Sequence, residues 1–268
     1  MIDTSPKSSK KLKLTIGILT LNEEKRITSC IQSAKFADQI LVIDSGSNDK
    51  TREIALSLGA EVYEYSDWKG FAVQRNRVLQ HSKGEYIFFL DADESIPEKL
   101  QQEIKVAINS GKDDIWEIQW DQVAFGRVLT LMKSTGGIQR MFKTESILEF
   151  TGVVHEHAEM KNSSHKVHRF KTKVLHYSRE TIYGSLNKLA QYVQLGAAKR
   201  ANAGKRGGVI RGLGSGLAIF LRLYIFRRGF LCGAEGFLFC FFIMLECFFR
   251  YAAIKYDKDN LELFSKRT

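Results

Sequence analysis

One stretch, Tyr86-Ile87-Phe88-Phe89-Leu90-Asp91-Ala92-Asp93-Glu94, constrains this chain more than any other. It opens as an unbroken apolar run and closes on three acids in four residues. An apolar run of that length, bounded by polar signals, is expected to be a strand buried on both faces. In extended chain Asp91 and Asp93 lie two apart and point the same way. Carboxylates gathered at the open end of a buried strand are costly to desolvate unless something cationic sits among them. A hard divalent cation shared with phosphate oxygens meets that need; a solvated loop of acids at a strand end is the alternative.

The chain before this stretch alternates strands and helices with short links. Leu14–Thr20, Ile40–Asp44 and Glu61–Tyr65 are predicted strands, rich in β-branched and apolar residues. Between them, helices are expected over 24–37, 50–58 and 70–82, the first capped by Asn22 and the second ended by Gly59. Such alternation predicts a mainly parallel sheet with helices on both faces, and in such sheets ligands sit beyond the carboxyl ends of the strands. Those ends carry Thr20-Leu21-Asn22, Asp44-Ser45, Asp67-Trp68-Lys69 and Asp91-Ala92-Asp93. Neither a dinucleotide fingerprint nor a P-loop is present. A helix over 97–110 follows, then strand-like segments at 116–120, 138–143, 151–157 and 174–178, and a helix over 181–205.

The last sixty or so residues differ in kind. Between Gly212 and Ile254 the chain is apolar and aromatic, punctuated by Arg222, Arg227 and Arg228. Its longest uncharged run, 236–245, is ten residues, about half of what a spanning helix needs. Helices lying in a membrane interface are therefore expected, with arginines at headgroup level; a helix pair buried under the catalytic domain is the alternative. The net charge of +10 calls for anionic partners, read here as nucleotide phosphates and an anionic membrane surface, with no nucleic acid. The four cysteines form no CxxC pair, and three lie in the apolar tail, which points to a reducing compartment. Residues 1–13 are polar and lysine-rich without an apolar core, so no secretory signal is expected.

Thr20-Leu21-Asn22-Glu23, Asp44-Ser45-Gly46-Ser47-Asn48-Asp49-Lys50-Thr51, Arg75-Asn76 and Asp91-Ala92-Asp93-Glu94, in this order, resemble the motifs of family 2 glycosyltransferases with the GT-A fold. Arg140-x-Phe142, Val154-His155-Glu156, His176-Tyr177-Ser178 and Gly229-Phe230-Leu231 resemble a narrower group, the lipopolysaccharide core glucosyltransferases of the WaaE/KdtX type. Cys232 departs from that group, where an acid follows Gly-Phe-Leu. The resemblance implies an α/β, Rossmann-like GT-A domain over 12–205, with a nucleotide-sugar half (12–110) and an acceptor half (111–205). A basic arm (1–11) would precede it and a helical membrane-interface tail (206–268) would follow. It implies inverting transfer of a sugar, glucose from UDP-glucose, to a hydroxyl of a lipopolysaccharide core or related lipid-linked glycan, at the cytoplasmic face of the membrane. Asp93 matches the ligand of Mg2+ or Mn2+, and His176 is placed with the metal or diphosphate. Asp91, Asp44, Thr20 and Asn22 fall at donor-binding positions, Lys69 and Arg75 within reach of phosphate charge, and Glu156 at the position of the catalytic base.

Three other readings compete. A phosphatase of haloacid-dehalogenase type also places Asp-x-Asp after an apolar strand, but usually on the first strand, and here three strand–helix units precede it. A metal-dependent nucleotidyltransferase would carry a glycine-rich loop after the first strand, and Leu21–Arg26 contains no glycine. A non-catalytic membrane-surface protein would use the basic tail alone and leaves the acids at the strand ends unexplained.

Overall fold

A computed structural model describes residues 12–134, 136–152, 156–162, 164–257 and Leu261. The expected basic arm, most of the Val154-His155 motif and the last residues of the tail lie outside them. The contacts divide the chain into two units. One comprises residues up to Trp120 together with Gly136–His176, and the other Asp121–Thr135 with Tyr177–Thr268. The expected boundary at residue 205 falls inside the second unit.

In the first unit the elements follow the predicted alternation: β1 (Leu14–Thr20), α1 (Ile27–Ala34), β2 (Gln39–Asp44), α2 (Thr51–Ser57), β3 (Glu61–Glu64), α3 (Phe71–His81) and β4 (Tyr86–Asp91). A two-residue strand, β5 (Glu94–Ser95), leads into α4 (Glu98–Asn109). Then come β6 (Ile115–Ile118), the start of β7 (Trp120–Ala124), β9 (Ile138–Lys143), β10 (Ile147–Thr151), β11 (His157–Met160), β12 (Val167–Arg169) and the start of β13 (Val174–Arg179). The main sheet runs β12-β6-β9-β4-β1-β2-β3. β4, β1, β2 and β3 are mutually parallel, β12 is parallel to β6, and β9 runs antiparallel to both β4 and β6. This is the mixed, mainly parallel sheet that the sequence predicts.

Strand alternation explains why the β4 run is apolar without a break. Phe88 and Leu90 face one core with Ile16, Ile18, Ile27, Ile31, Leu100 and Ile104. Ile87 and Phe89 face the other with Leu41, Ile43, Val78, Phe142 and Phe150. Both faces are covered, so no position along the strand can be polar until the chain emerges at Asp91. Gly17 sits where α3 crosses β1, and a Cβ there would lie 2.2 Å from Val78 Cγ1. One local expectation that fails is the cap of α1. The helix begins at Ile27 with Arg26 preceding it, because Asn22 adopts a left-handed φ of 55° and its side chain is spent on a neighbouring loop.

The second unit holds the rest of β7, β8 (Arg127–Val128), the end of β13, α5 (Ile182–Asn202), α6 (Val209–Leu221) and α7 (Gly233–Tyr256). β7 pairs antiparallel with β8. Thr181 caps α5 by accepting from the Gly184 N–H at 3.0 Å. α6 presents glycines to α7: a Cβ on Gly212 would lie 2.7 Å from the Phe248 carbonyl, and one on Gly216 3.1 Å from that of Met244. Small residues let the two backbones approach closely. The helical stretches Val209–Phe226 and Gly229–Tyr256 are each long and apolar enough to cross a membrane, with mean hydropathy of 1.6 and 1.9. Counting uncharged residues underestimates them because Glu246, inside α7, is buried and ion-paired with Arg179.

Replacing Gly17 by Ala should destabilise the first unit by about 1–3 kcal/mol through overpacking, read as a lower urea midpoint at unchanged slope. The double change Gly17→Ala/Val78→Ala should recover part of the loss. An unchanged midpoint in the single variant would show that α3 does not press on β1 as described.

Candidate active site

The carboxyl ends of β1, β2 and β4 lie side by side because the three strands are parallel, Thr20 opposite Asp44 and Leu19 opposite Asp91. The loops after β1 and β2 are laced together. The Asn22 N–H donates to Ser47 Oγ at 2.8 Å, and Asn22 Oδ1 accepts from the Asn48 N–H at 2.8 Å. The Asp44 carboxylate is fully buried and organises the same loop, accepting from the Gly46 and Ser47 N–H groups at 3.0 and 2.8 Å. Gln74 from α3 donates to Ser45 Oγ at 2.7 Å. Beneath this loop the Thr20 hydroxyl is buried without a hydrogen-bond partner. Such an orphaned group at a strand end has unspent capacity for a ligand.

At the end of β4 the two aspartates part company. β4 stops at Asp91 and Asp93 lies in the turn that follows, so the common direction expected of extended chain does not hold. Asp91 is gripped by Arg140, with Nη1 3.2 Å from Oδ1 and Nη2 2.6 Å from Oδ2. Arg75 Nη2 stands 3.7 Å from Asp91 Oδ1. Asp93 Oδ2 lies 3.3 Å from His176 Nε2 and 3.8 Å from Arg26 Nη1. His176 is delivered there by β13, which pairs antiparallel with β5 so that His176 stands opposite Glu94.

Arg140 and Glu94 are the residues that sequence reasoning did not assign. Both are buried, each 2% exposed. Arg140 Nη2 donates to Glu94 Oε1 at 3.2 Å, the Asp91 N–H donates to Glu94 Oε2 at 2.9 Å, and the Trp120 indole N–H also donates to Glu94. One signal was available: a lone arginine at the centre of the apolar strand Ile138–Phe142 must be buried with a partner, and Asp91 to Glu94 held the surplus of acids.

The electrostatics follow from this packing. Burial alone would raise the Asp91 carboxyl, but the Arg140 and Arg75 guanidinium groups pull it well below the usual carboxylate range. Burial pushes Glu94 up; the Arg140 charge opposes the rise and the neighbouring Asp91 charge adds to it. Burial and the proximity of Arg140 lower the basicity of Arg75. For His176, burial works against the charged form, yet the hydrogen bond and charge of Asp93 prevail and raise it above an ordinary histidine.

Arg75 lies on the buried side of α3, not on its exposed face. Its Nε donates to Glu156 Oε1 at 3.1 Å, and its guanidinium carbon lies 5.2 Å from the Phe89 ring centroid. The adjacent Asn76 bonds both the N–H and the carbonyl of Phe150, at 2.7 and 2.9 Å, and so fixes the end of β10 ahead of Glu156. A cavity of about 290 Å³ opens here, lined by Arg75, Glu117, Gln139, Phe150, Glu156 and His157 among others. Lys69 forms an exposed pair with Asp67 at 3.0 Å. Arg75 thus links Asp91 to Glu156, Asp44 shapes the loop after β2 beside the orphaned Thr20 hydroxyl, Asp93 and His176 form a separate contact, and Lys69 is engaged at the surface.

Asp93 and His176 fit a divalent cation. They offer a hard oxygen and an imidazole nitrogen in contact and are both only partly buried. Among the described residues no third His, Cys, Asp or Glu joins them in a metal cage. A pair of protein ligands leaves coordination positions for phosphate oxygens and water, as Mg2+ sites generally do.

Replacing Arg140 by Met should strand the buried Glu94 carboxylate and leave the partly exposed Asp91 without its main partner, at a cost of up to about 3–5 kcal/mol of stability at neutral pH. The Asp91 value is depressed in the folded protein, so its contribution is present above the unfolded carboxylate pKa of about 4 and is lost as pH falls through the folded value. In the variant the stranded carboxylates take up protons instead. The stability gap between the two proteins should therefore narrow on acidification, as followed by urea unfolding across the carboxylate range; a constant gap would contradict the network.

The sequence model of glycosyl transferase family 2 matches residues 15–146. An uncharacterized glycosyltransferase of Rickettsia bellii is 27% identical over 91% of this chain and 86% of its own length. The lipopolysaccharide core biosynthesis glycosyltransferase LpsC of Rhizobium meliloti is 26% identical over 85% of this chain and 86% of its own. Among solved structures, S. aureus TarS 1–349 in complex with UDP-GlcNAc aligns at a TM-score of 0.47 and 17% identity, over 63% of this chain and 60% of that one. The matched segment contains the β1, β2 and β4 strand ends that build the cleft, together with Arg75, Asp91, Asp93, Glu94 and Arg140. Residues 15–146 therefore belong to glycosyl transferase family 2, and the chain that carries them is a glycosyltransferase.

Proposed function

We propose that the enzyme is an inverting glycosyltransferase that moves a sugar, glucose from UDP-glucose, to a hydroxyl of a lipopolysaccharide core or related cell-envelope glycolipid. The observation that carries this reading is the end of β4, where Asp93 meets His176 while Asp91 is locked by Arg140. The nucleoside diphosphate lies across the strand ends, with the orphaned Thr20 hydroxyl, the Asn22-laced loops and Asp91 on its nucleoside side. Asp44 shapes that surface from beneath, and Lys69 adds a cation at its rim. Asp93 and His176 would hold Mg2+ or Mn2+, which when bound neutralises the charge that grows on the leaving diphosphate.

Glu156 is the base in this reading. Its carboxylate receives the proton of the acceptor hydroxyl as that oxygen bonds to the sugar's anomeric carbon; the bond from that carbon to the diphosphate oxygen breaks on the opposite face. Arg75 positions the base through the 3.1 Å contact. The similarity to LpsC supports a lipopolysaccharide core acceptor. The two apolar helical stretches support work at a membrane surface, taken here as its cytoplasmic face, where nucleotide sugars and a lipid-linked acceptor meet.

Glu156→Gln keeps the shape and the hydrogen-bonding oxygen but removes the basic site. It should reduce transfer by about a hundredfold or more, while donor binding, read by isothermal calorimetry, stays within twofold of the wild type, a bound of order RT. Transfer that survives this change would remove Glu156 from the mechanism. Chelation of divalent ions should abolish turnover of every sugar nucleotide, and Mn2+ should restore it. Release of phosphate from a simple monoester would instead favour the phosphatase reading.

A further inference from the structure

The corner that joins the two apolar helical stretches of the second unit is built around unmatched positive charge. Beyond Leu221 the helix widens, and the Arg227 N–H donates to the Arg222 carbonyl at 2.9 Å, five residues back. Arg228 then adopts a left-handed φ of 62°. Gly229 is pressed so close to α7 that a Cβ would lie 2.8 Å from Cys240 Sγ. The corner is therefore fixed in shape. The Lys133 N–H donates to the Arg227 carbonyl at 2.9 Å, which sets the backbone of a fourth basic residue against the corner.

Among the described residues none of these four side chains has a carboxylate partner within ion-pairing distance. The acids of α7 are engaged elsewhere: Glu235 pairs with Arg127 and Glu246 with Arg179. Arg227 Nη1 is buried with no hydrogen-bond partner. Burial, and then the like charge of Arg222, lowers the basicity of Arg227. A buried guanidinium N–H without an acceptor, beside the like charge of Arg222, is an unfavourable arrangement in isolation. The same corner exposes Ile225, Phe226, Phe230 and Leu231, with Phe226 74% exposed. A soluble anion would satisfy the arginines and leave these side chains in water. A lipid with an anionic headgroup satisfies both, its phosphate among the guanidinium groups and its chains against the aromatic rim.

We propose that the corner formed by Arg222, Arg227, Arg228 and Lys133 is a binding site for the phosphate of an anionic lipid headgroup. The inference rests on the membrane-facing reading given above and goes beyond it, since it assigns the attraction to one defined site and not to net charge spread over the tail. The test is co-sedimentation of the full chain with phosphatidylcholine vesicles, with and without phosphatidylglycerol. Arg222→Gln/Arg227→Gln/Arg228→Gln should lose on the order of a hundredfold in affinity for the anionic vesicles. A control with the same loss of charge on exposed positions, Lys199→Gln/Lys205→Gln/Arg206→Gln, should lose about tenfold or less. Equal losses in the two triple variants, or no loss in the first, would overturn the proposal. Should the corner variant fail to fold, Arg227→Gln alone should lose about fivefold, and no loss would again overturn it. Hydrolysis of the sugar nucleotide in the absence of vesicles should be unchanged in all these variants, so failure of the lipid site and failure of the glycosyltransferase reading are separable.

Discussion

The contact between Arg140 and the acids at the end of β4 is the interaction on which the site depends. β9 must lie antiparallel beside β4 for Arg140 to reach Asp91 and Glu94, and the buried guanidinium is what permits two carboxylates to face each other at the end of an apolar strand. Without it, Asp91 and Glu94 would repel, and the turn carrying Asp93 would have no fixed start. A buried pair of this kind is weak evidence for net stability, because desolvation offsets most of the Coulomb gain. Its importance lies in geometry: it fixes where Asp91 stops and Asp93 begins.

The separation of roles follows from that anchor. Asp91 is held well below the usual carboxylate range by the adjacent arginines. Asp93 stands in contact with a histidine instead of a buried guanidinium pair. Arg75 links the anchor to Glu156, so the donor end of the cleft and the proposed base share one rigid framework. Asn76, its neighbour on α3, clamps the β10 backbone at Phe150.

Much of this was legible in the sequence. The parallel core could be read because a strand buried on both faces admits a polar residue only where it finds a partner, as Thr15 does in Gln39, so β1, β2 and β4 announce themselves as apolar runs and end sharply at Thr20, Asp44 and Asp91. The grouping of those ends follows from parallel topology alone. Arg140 was harder to see, since its partners lie about fifty residues away in sequence and only the antiparallel return of β9 brings them together. Asn22 misled for a related reason: an Asn before a helix reads as a cap, and its use in lacing two loops depends on β2 lying beside β1. Charge counting treats Glu246 as a break in the tail, whereas burial against Arg179 lets the helix run through it.

The most direct test of the account is the binding of UDP to the wild-type chain and to Asp93→Asn, by calorimetry with and without Mn2+. The wild type should bind UDP far more tightly with Mn2+ than without it, and Asp93→Asn should lose the metal-dependent part while keeping the metal-independent part. UDP binding that is indifferent to Mn2+, or metal-dependent binding that survives in Asp93→Asn, would contradict the assignment of the β4 end as the metal–diphosphate site.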